Sequence, residues 1–144
     1  MITYRLLHPE ILAGLAAAGH GAQVLIADAL YPHSTGVPAP AARVHLNLRP
    51  GLVAARDVLE VVADTVHIEA AVYMADADGG ESEPVREYRG LLGSHRHGGD
   101  QEVAWSGLER TDFYAACRRP DVCMLVATGE TRPYANLLLR IGVP

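Results

Sequence analysis

GHGAQVLIADALYP, residues 19–32, is the stretch on which the fold turns. Its middle, Val24 to Ala27, is a short apolar run of the kind expected for a strand covered on both faces. His20 stands shortly before that run, between two glycines, and Asp28 follows it at once. A buried strand needs neither group. If the segment stays extended, the imidazole and the carboxylate lie about 25 Å apart. They meet only if the glycines turn the chain, or if a neighbouring strand or subunit closes the site.

Outward from this strand the chain alternates helix and strand. HPEILAGLAAAGHG places Pro9 at a helix start, Ile11, Leu12 and Leu15 on one face, and Gly19 at the stop. RVHLNL alternates, with Val44, Leu46 and Leu48 pointing one way. PGLVAARDVLEVVADTV returns to helical spacing through Leu52, Ala55, Leu59 and Val62. IEAAVYMA reads as a second buried strand, EPVREYRGLLGS as a charged surface helix, and EVAW as an edge strand. RTDFYAACRR is a short helix and VCMLVATG a third buried strand. In YANLLLRIGV the length and the flanking Pro133 and Gly142 favour a strand. Strands alternating with helices predict an α/β protein, a single three-layer α/β/α domain over residues 1–144 with a central sheet. No repeat, low-complexity segment or linker interrupts it; the loosest stretches are YPHSTGVPAPAA and ADADGGESEP.

Composition narrows the partners. A chain of 144 residues is long enough for a real core, and with one Phe, one Trp and six Tyr that core must be aliphatic. The net charge of −5 and the lack of a basic run argue against nucleic acid or an anionic membrane surface. No apolar run approaches the ~20 residues that span a bilayer. MITYRLLHPE lacks the pattern of a signal peptide, and two cysteines, Cys117 and Cys123, fit a reduced cytoplasmic chain without a disulfide.

Several chemistries lack their motifs. There is no G-x-G-x-x-G opening a helix, no phosphate-cradling glycine loop and no G-x-S-x-G elbow. His95 and His97 in GSHRHGGD have no Cys or carboxylate spaced to complete a metal set, so a polar loop is the reading there. Asp76 and Asp78 before Gly79 and Gly80 lack the closing glutamate of a calcium loop. Cys117 has no base beside it and reads as a packed helix thiol.

What remains is a set of polar groups at strand ends. His20 and Asp28 flank the first buried strand, and TGETRPYAN after the third carries Glu130, Tyr134 and Asn136. In open α/β folds ligands gather where loops leave the strands. Each residue alone also has a plainer reading: a histidine closing a helix, an aspartate capping a turn, a tyrosine packing. Composition and period identify a polar site without naming its chemistry.

Two strings taken together do more. LLHPEILAGLAAAGHGAQVLIADALYPHS and TGETRPYANLLLRIGV resemble, in order and at both ends, the fucose mutarotase and D-ribose pyranase family. IEAAVYMA and RTDFY extend the resemblance over nearly the whole chain, closer to the fucose branch. The resemblance implies a small α/β/α domain assembled into rings, commonly decameric, and cofactor-free interconversion of sugar ring forms without a metal. It implies that His20 transfers the proton, Asp28 binds sugar hydroxyls, and Tyr134 and Asn136 contact the ligand. The family's basic residue falls on Arg110 when the aromatic pair of RTDFY is aligned, with two extra residues in ACRRPDVC. An ungapped alignment puts Asp112 there instead. The loop DALYPHST is one residue shorter than the fucose-type loop, which leaves His33 without an assigned role.

The chemistry suits these residues. Mutarotation takes a proton from the anomeric hydroxyl and returns one to the ring oxygen, so the ring opens, turns about one bond and recloses. Histidine carries protons near neutrality, a carboxylate holds hydroxyls, and tyrosine offers an apolar face with a polar tip. Within this reading the resemblance favours L-fucose or a related sugar, with D-ribose pyranase-type pyranose–furanose isomerisation as the alternative. Two other classes stay open: a monosaccharide-binding module without catalysis, and a structural ring protein. The apolar tail LLLRIGV is expected to hide in a contact between subunits of a homo-oligomer.

Overall fold

The computed structural model describes residues 1–95 and 102–144. The elements in chain order are α1 (Pro9–Ala18), β1 (Gln23–Ala27), β2 (Ala42–His45), α2 (Ala55–Ala63) and β3 (Ile68–Met74). α3 (Glu83–Ser94), β4 (Ala104–Leu108), α4 (Arg110–Cys117), β5 (Val122–Ala127) and β6 (Leu137–Ile141) follow.

β1 shows why this is an α/β fold. Its side chains alternate between two apolar layers because successive residues of a strand point to opposite faces. Val24 and Ile26 join the layer packed with Ile11, Leu15, Leu59 and Leu92 of α1, α2 and α3. Leu25 and Ala27 join Phe113 and Cys117 of α4 and Tyr31 and Val37 of the loop after β1. Both faces are covered, so the strand is wholly apolar. One face carries three helices; the other carries one helix and a loop.

The six strands form one sheet in the order β2-β5-β1-β6-β3-β4. β1 runs parallel to β5, β5 to β2 and β3 to β4, whereas β6 runs antiparallel to both β1 and β3. Five strands therefore share a direction and β6 opposes them. The carboxyl ends of β1 to β5 and the start of β6 lie along one sheet edge, and the start of β1 and the end of β6 along the other.

α1 begins with Pro9 at its first position and ends at Gly19, whose φ of 72° suits glycine. Four predicted features need correction. The tail is not held for a subunit contact: Leu137, Leu138 and Leu139 are each 1% exposed because β6 is an interior strand. β3 is only half-buried, since it lies one strand from the sheet margin, where helical cover thins. α2 starts at Ala55, not Leu52. Leu52 closes a tight turn, its N–H donating to Arg49 and its carbonyl accepting from Leu48, and Leu48 itself is exposed. The edge strand predicted at EVAW pairs with β3 two residues later, from Ala104 to Leu108.

Candidate functional site

Asp28 is placed by the end of β1 and fixed by four contacts. Its backbone N–H donates to Asn136 Oδ1 (2.7 Å), and Asn136 Nδ2 donates back to Asp28 Oδ2 (3.0 Å). The N–H groups of Leu30 and Tyr31 fill its Oδ1 at 3.0 and 2.9 Å. Both side chains are buried, Asp28 at 6% and Asn136 at 3% exposure. Burial pushes the Asp28 carboxyl above its ordinary range, and the N–H bonds and nearby His33 pull part of the way back.

The loop into β6 presents Tyr134. Its φ of 56° is a left-handed conformation that a non-glycine residue adopts only when its surroundings hold it there. Those surroundings are polar. The Tyr134 carbonyl accepts from Ser82 Oγ at 2.9 Å, and the next carbonyl, of Ala135, accepts from Tyr88 Oη at 3.0 Å. Ser82 also caps α3, so one side chain ties a helix start to the loop. On the near side, Arg132 grips Glu130 and reaches Glu87 at 2.7 Å. Burial opposes the Glu130 charge, but these bonds outweigh it and hold its carboxyl below the usual range.

Arg110 opens α4 on the same edge. Its Nε donates to Tyr114 Oη at 3.3 Å, and its pKa is held up first by that bond, with weaker contributions from Tyr134 and Asp28. The guanidinium thus feels the charge of the site while its side chain stays exposed. Asp112, in the same turn, favours the amino end of its helix.

Sequence reasoning left one residue at this edge, His33, without a role. His33 Nε2 sits 2.7 Å from the Asp28 carbonyl, and its ring stacks on Tyr31 and meets His45 edge-on. The only signal was its position in the loop that leaves β1, and a histidine in a Pro, Ser and Gly-rich loop reads as solvated.

His20 is elsewhere. It precedes β1, so the full strand, about 16 Å long, separates it from Asp28 within one chain. Its Nε2 donates to Glu69 Oε2 at 3.1 Å, and Arg140 holds the other Glu69 oxygen at 2.8 Å. With Nε2–H committed, Nδ1 is the nitrogen left to take a proton. The structure therefore brings together Asp28, Arg110, Tyr134 and Asn136, and does not bring His20 to them.

The remaining candidates carry other roles. Cys117 is buried, and burial pushes its thiol up to about 12, which suits packing and disables it as a nucleophile. Cys123 is free as well. Asp76 Oδ1 accepts the N–H groups of Asp78 and Gly80, a self-contained turn. His95 ends α3 and pairs with Asp64 at 3.1 Å; His97 lies outside the described residues. A recess of about 440 Å³ between Pro38, Pro120 and Cys123 opens at the start of β5, away from the polar edge.

Comparison with known proteins agrees across the whole chain. The family model described as the RbsD / FucU transport protein family matches residues 1–144. D-ribose pyranase of Paracidovorax citrulli is 33% identical, over 96% of this chain and 95% of its own. D-ribose pyranase of Symbiobacterium thermophilum is 35% identical, over 93% and 89%. Among solved structures, Bacillus subtilis RbsD complexed with D-ribose superposes with a TM-score of 0.79 at 28% identity, covering 100% of this chain and 99% of that one. Fucose mutarotase of Streptococcus pneumoniae in complex with L-fucose gives 0.80 at 25% identity, with the same coverage.

Proposed function

The chain belongs to the RbsD / FucU transport protein family, and from that premise we propose that it is a mutarotase for a free monosaccharide, acting by ring opening without a cofactor. The observation that carries the reading is the edge where Asp28, Asn136, Tyr134 and Arg110 converge: a carboxylate, an amide, a phenol and a cation around strand ends. Those groups match the hydroxyls of a sugar and offer no phosphate cradle. His20 Nδ1 takes the proton of the anomeric hydroxyl, the bond from the anomeric carbon to the ring oxygen breaks as the carbonyl forms, and His20 Nδ1–H returns that proton to the ring oxygen. Closure reverses the steps, and no net proton is consumed.

The motifs alone lean towards L-fucose. The curated relatives above are named D-ribose pyranase, and the ribose- and fucose-bound structures fit equally well. D-ribose, with pyranose–furanose exchange, is therefore the first substrate, ahead of L-fucose. A monosaccharide is too small to bridge β1, so the reading also requires that His20 come from a second copy of the chain. Leu30 and Leu48, 84% and 81% exposed beyond the ends of β1 and β2, supply apolar surface for such a contact.

Saturation-transfer NMR across a panel of aldoses tests the proposal. D-ribose exchange should accelerate at catalytic protein concentrations. His20→Ala, at an exposed position, should keep its melting temperature and lose about 10²–10⁴ in exchange rate. Arg110→Ala should lose about ten- to hundredfold while Asp112→Asn stays mild. No acceleration for any aldose would remove the enzyme reading and leave a binding module.

A further inference from the structure

The histidine that the strand geometry does place at the sugar edge is His33, and we infer that it is a further substrate-contacting residue, accepting a sugar hydroxyl at Nδ1. This rests on the sugar lying at the Asp28 edge, as proposed above. A carbonyl oxygen only accepts, so the 2.7 Å contact with Asp28 O makes Nε2 the protonated nitrogen of neutral His33. Nδ1 then holds a lone pair and has no partner among the described residues. Asp28 itself is nearly spent as a reader of hydroxyls. Of roughly four lone-pair positions on a carboxylate, Leu30, Tyr31 and Asn136 fill three. His33 adds an acceptor to the single position left on Asp28.

The ring is also set in place before any ligand arrives. Tyr31 Oη donates to the Gly36 carbonyl at 2.7 Å, and the Tyr31 ring stacks under the imidazole. The Arg43 guanidinium spreads over the carbonyls of His33, Ser34, Val37 and Ala41 at 3.1–3.3 Å, pinning the loop from outside. A side chain held this way loses little freedom on binding, which is what a positioned ligand contact requires. A solvated loop histidine would need neither clasp.

Imidazole 15N NMR of the intact protein, titrated with D-ribose and separately with L-fucose, tests the assignment. The expected result is a change in the His33 Nδ1 resonance that saturates together with changes at the Asn136 and Tyr134 amides. His33→Phe should raise KM about three- to tenfold, the loss of one neutral hydrogen bond, with the fold kept and only a modest fall in melting temperature from the lost bond to the Asp28 carbonyl. His33→Gln, which retains an acceptor, should recover part of the loss. Sugar-dependent changes at Asn136 and Tyr134 with His33 Nδ1 unmoved would overturn the assignment and leave the functional reading standing. An edge that responds to neither sugar would overturn both.

Discussion

Asn136 meets Asp28 with both ends of its amide, 108 residues apart in the chain. Its Nδ2–H joins the N–H groups of Leu30 and Tyr31 as a donor to a buried carboxylate, which needs such partners to stay charged. Asn136→Asp keeps the shape and puts a second carboxylate about 3.0 Å from Asp28 Oδ2. Two buried carboxylates at that range cannot both ionise, so the folded pair retains a proton that the unfolded chain releases near pH 4. Its pKa in the fold is raised, and Asp28 is already raised by burial. The folded state then binds more protons than the unfolded, so stability is lost as pH rises. The variant should melt well below wild type at pH 7, by about 2–3 kcal/mol, and the gap should narrow towards pH 4. A gap independent of pH would mean that the lost amide donor alone is responsible. Sequence reasoning found Asp28 and Asn136 as polar residues at strand ends. It could not find their bond, nor His33, because both depend on which strands become neighbours.

At the scale of elements, period and run length identified the four helices and most of the six strands of the described residues, while β6 was read as a strand from its length and its flanking Pro133 and Gly142. Periodicity failed where a local turn competes with a helix. Leu52 has helical spacing to Ala55 and Leu59, yet the chain from Leu48 to Leu52 is folded back on itself by backbone hydrogen bonds. That turn exists to meet the segment leaving β5. Gly129 N–H donates to the Val53 carbonyl at 2.9 Å, and its own carbonyl accepts from Gly51 at 2.7 Å. A Cβ on Gly129 would stand 2.1 Å from the Leu52 carbonyl oxygen and 2.5 Å from that of Arg49. Both obstacles are backbone and cannot rotate away. Gly129→Ala should therefore cost about 3 kcal/mol or more and also displace Glu130 and the loop that carries Tyr134. Thermal melting and an aldose-exchange assay would show the two losses together. Gly90→Ala, on the open side of α3 with nothing near its missing Cβ, is the control and should be neutral or slightly stabilising. Equal behaviour of the two variants would contradict the packing described for the turn.

The whole molecule turns on the direction of β6. Its apolar residues say strand, but nothing in them says that it inserts between β1 and β3 against the other five. That insertion sends Asn136 to the Asp28 edge and Arg140 to the His20 edge, dividing the polar residues between opposite ends of one sheet. On the proposed chemistry, one chain holds two half-sites and catalysis depends on assembly. This can be tested with two variants whose substituted side chains are exposed and outside the core, His20→Ala and Arg110→Ala. Alone, His20→Ala should be nearly inactive and Arg110→Ala should keep at most about a tenth of wild-type activity. Unfolded together in equal amounts and refolded, they should form mixed assemblies in which about one site in four receives His20 from one copy and Arg110 from another. Exchange activity should return to about a quarter of wild type. If the site lay within a single chain, no mixed assembly could contain an intact one and activity would stay at the level of the separate variants. Sedimentation of the wild type as a 15.4 kDa monomer during turnover would refute sharing by a second route.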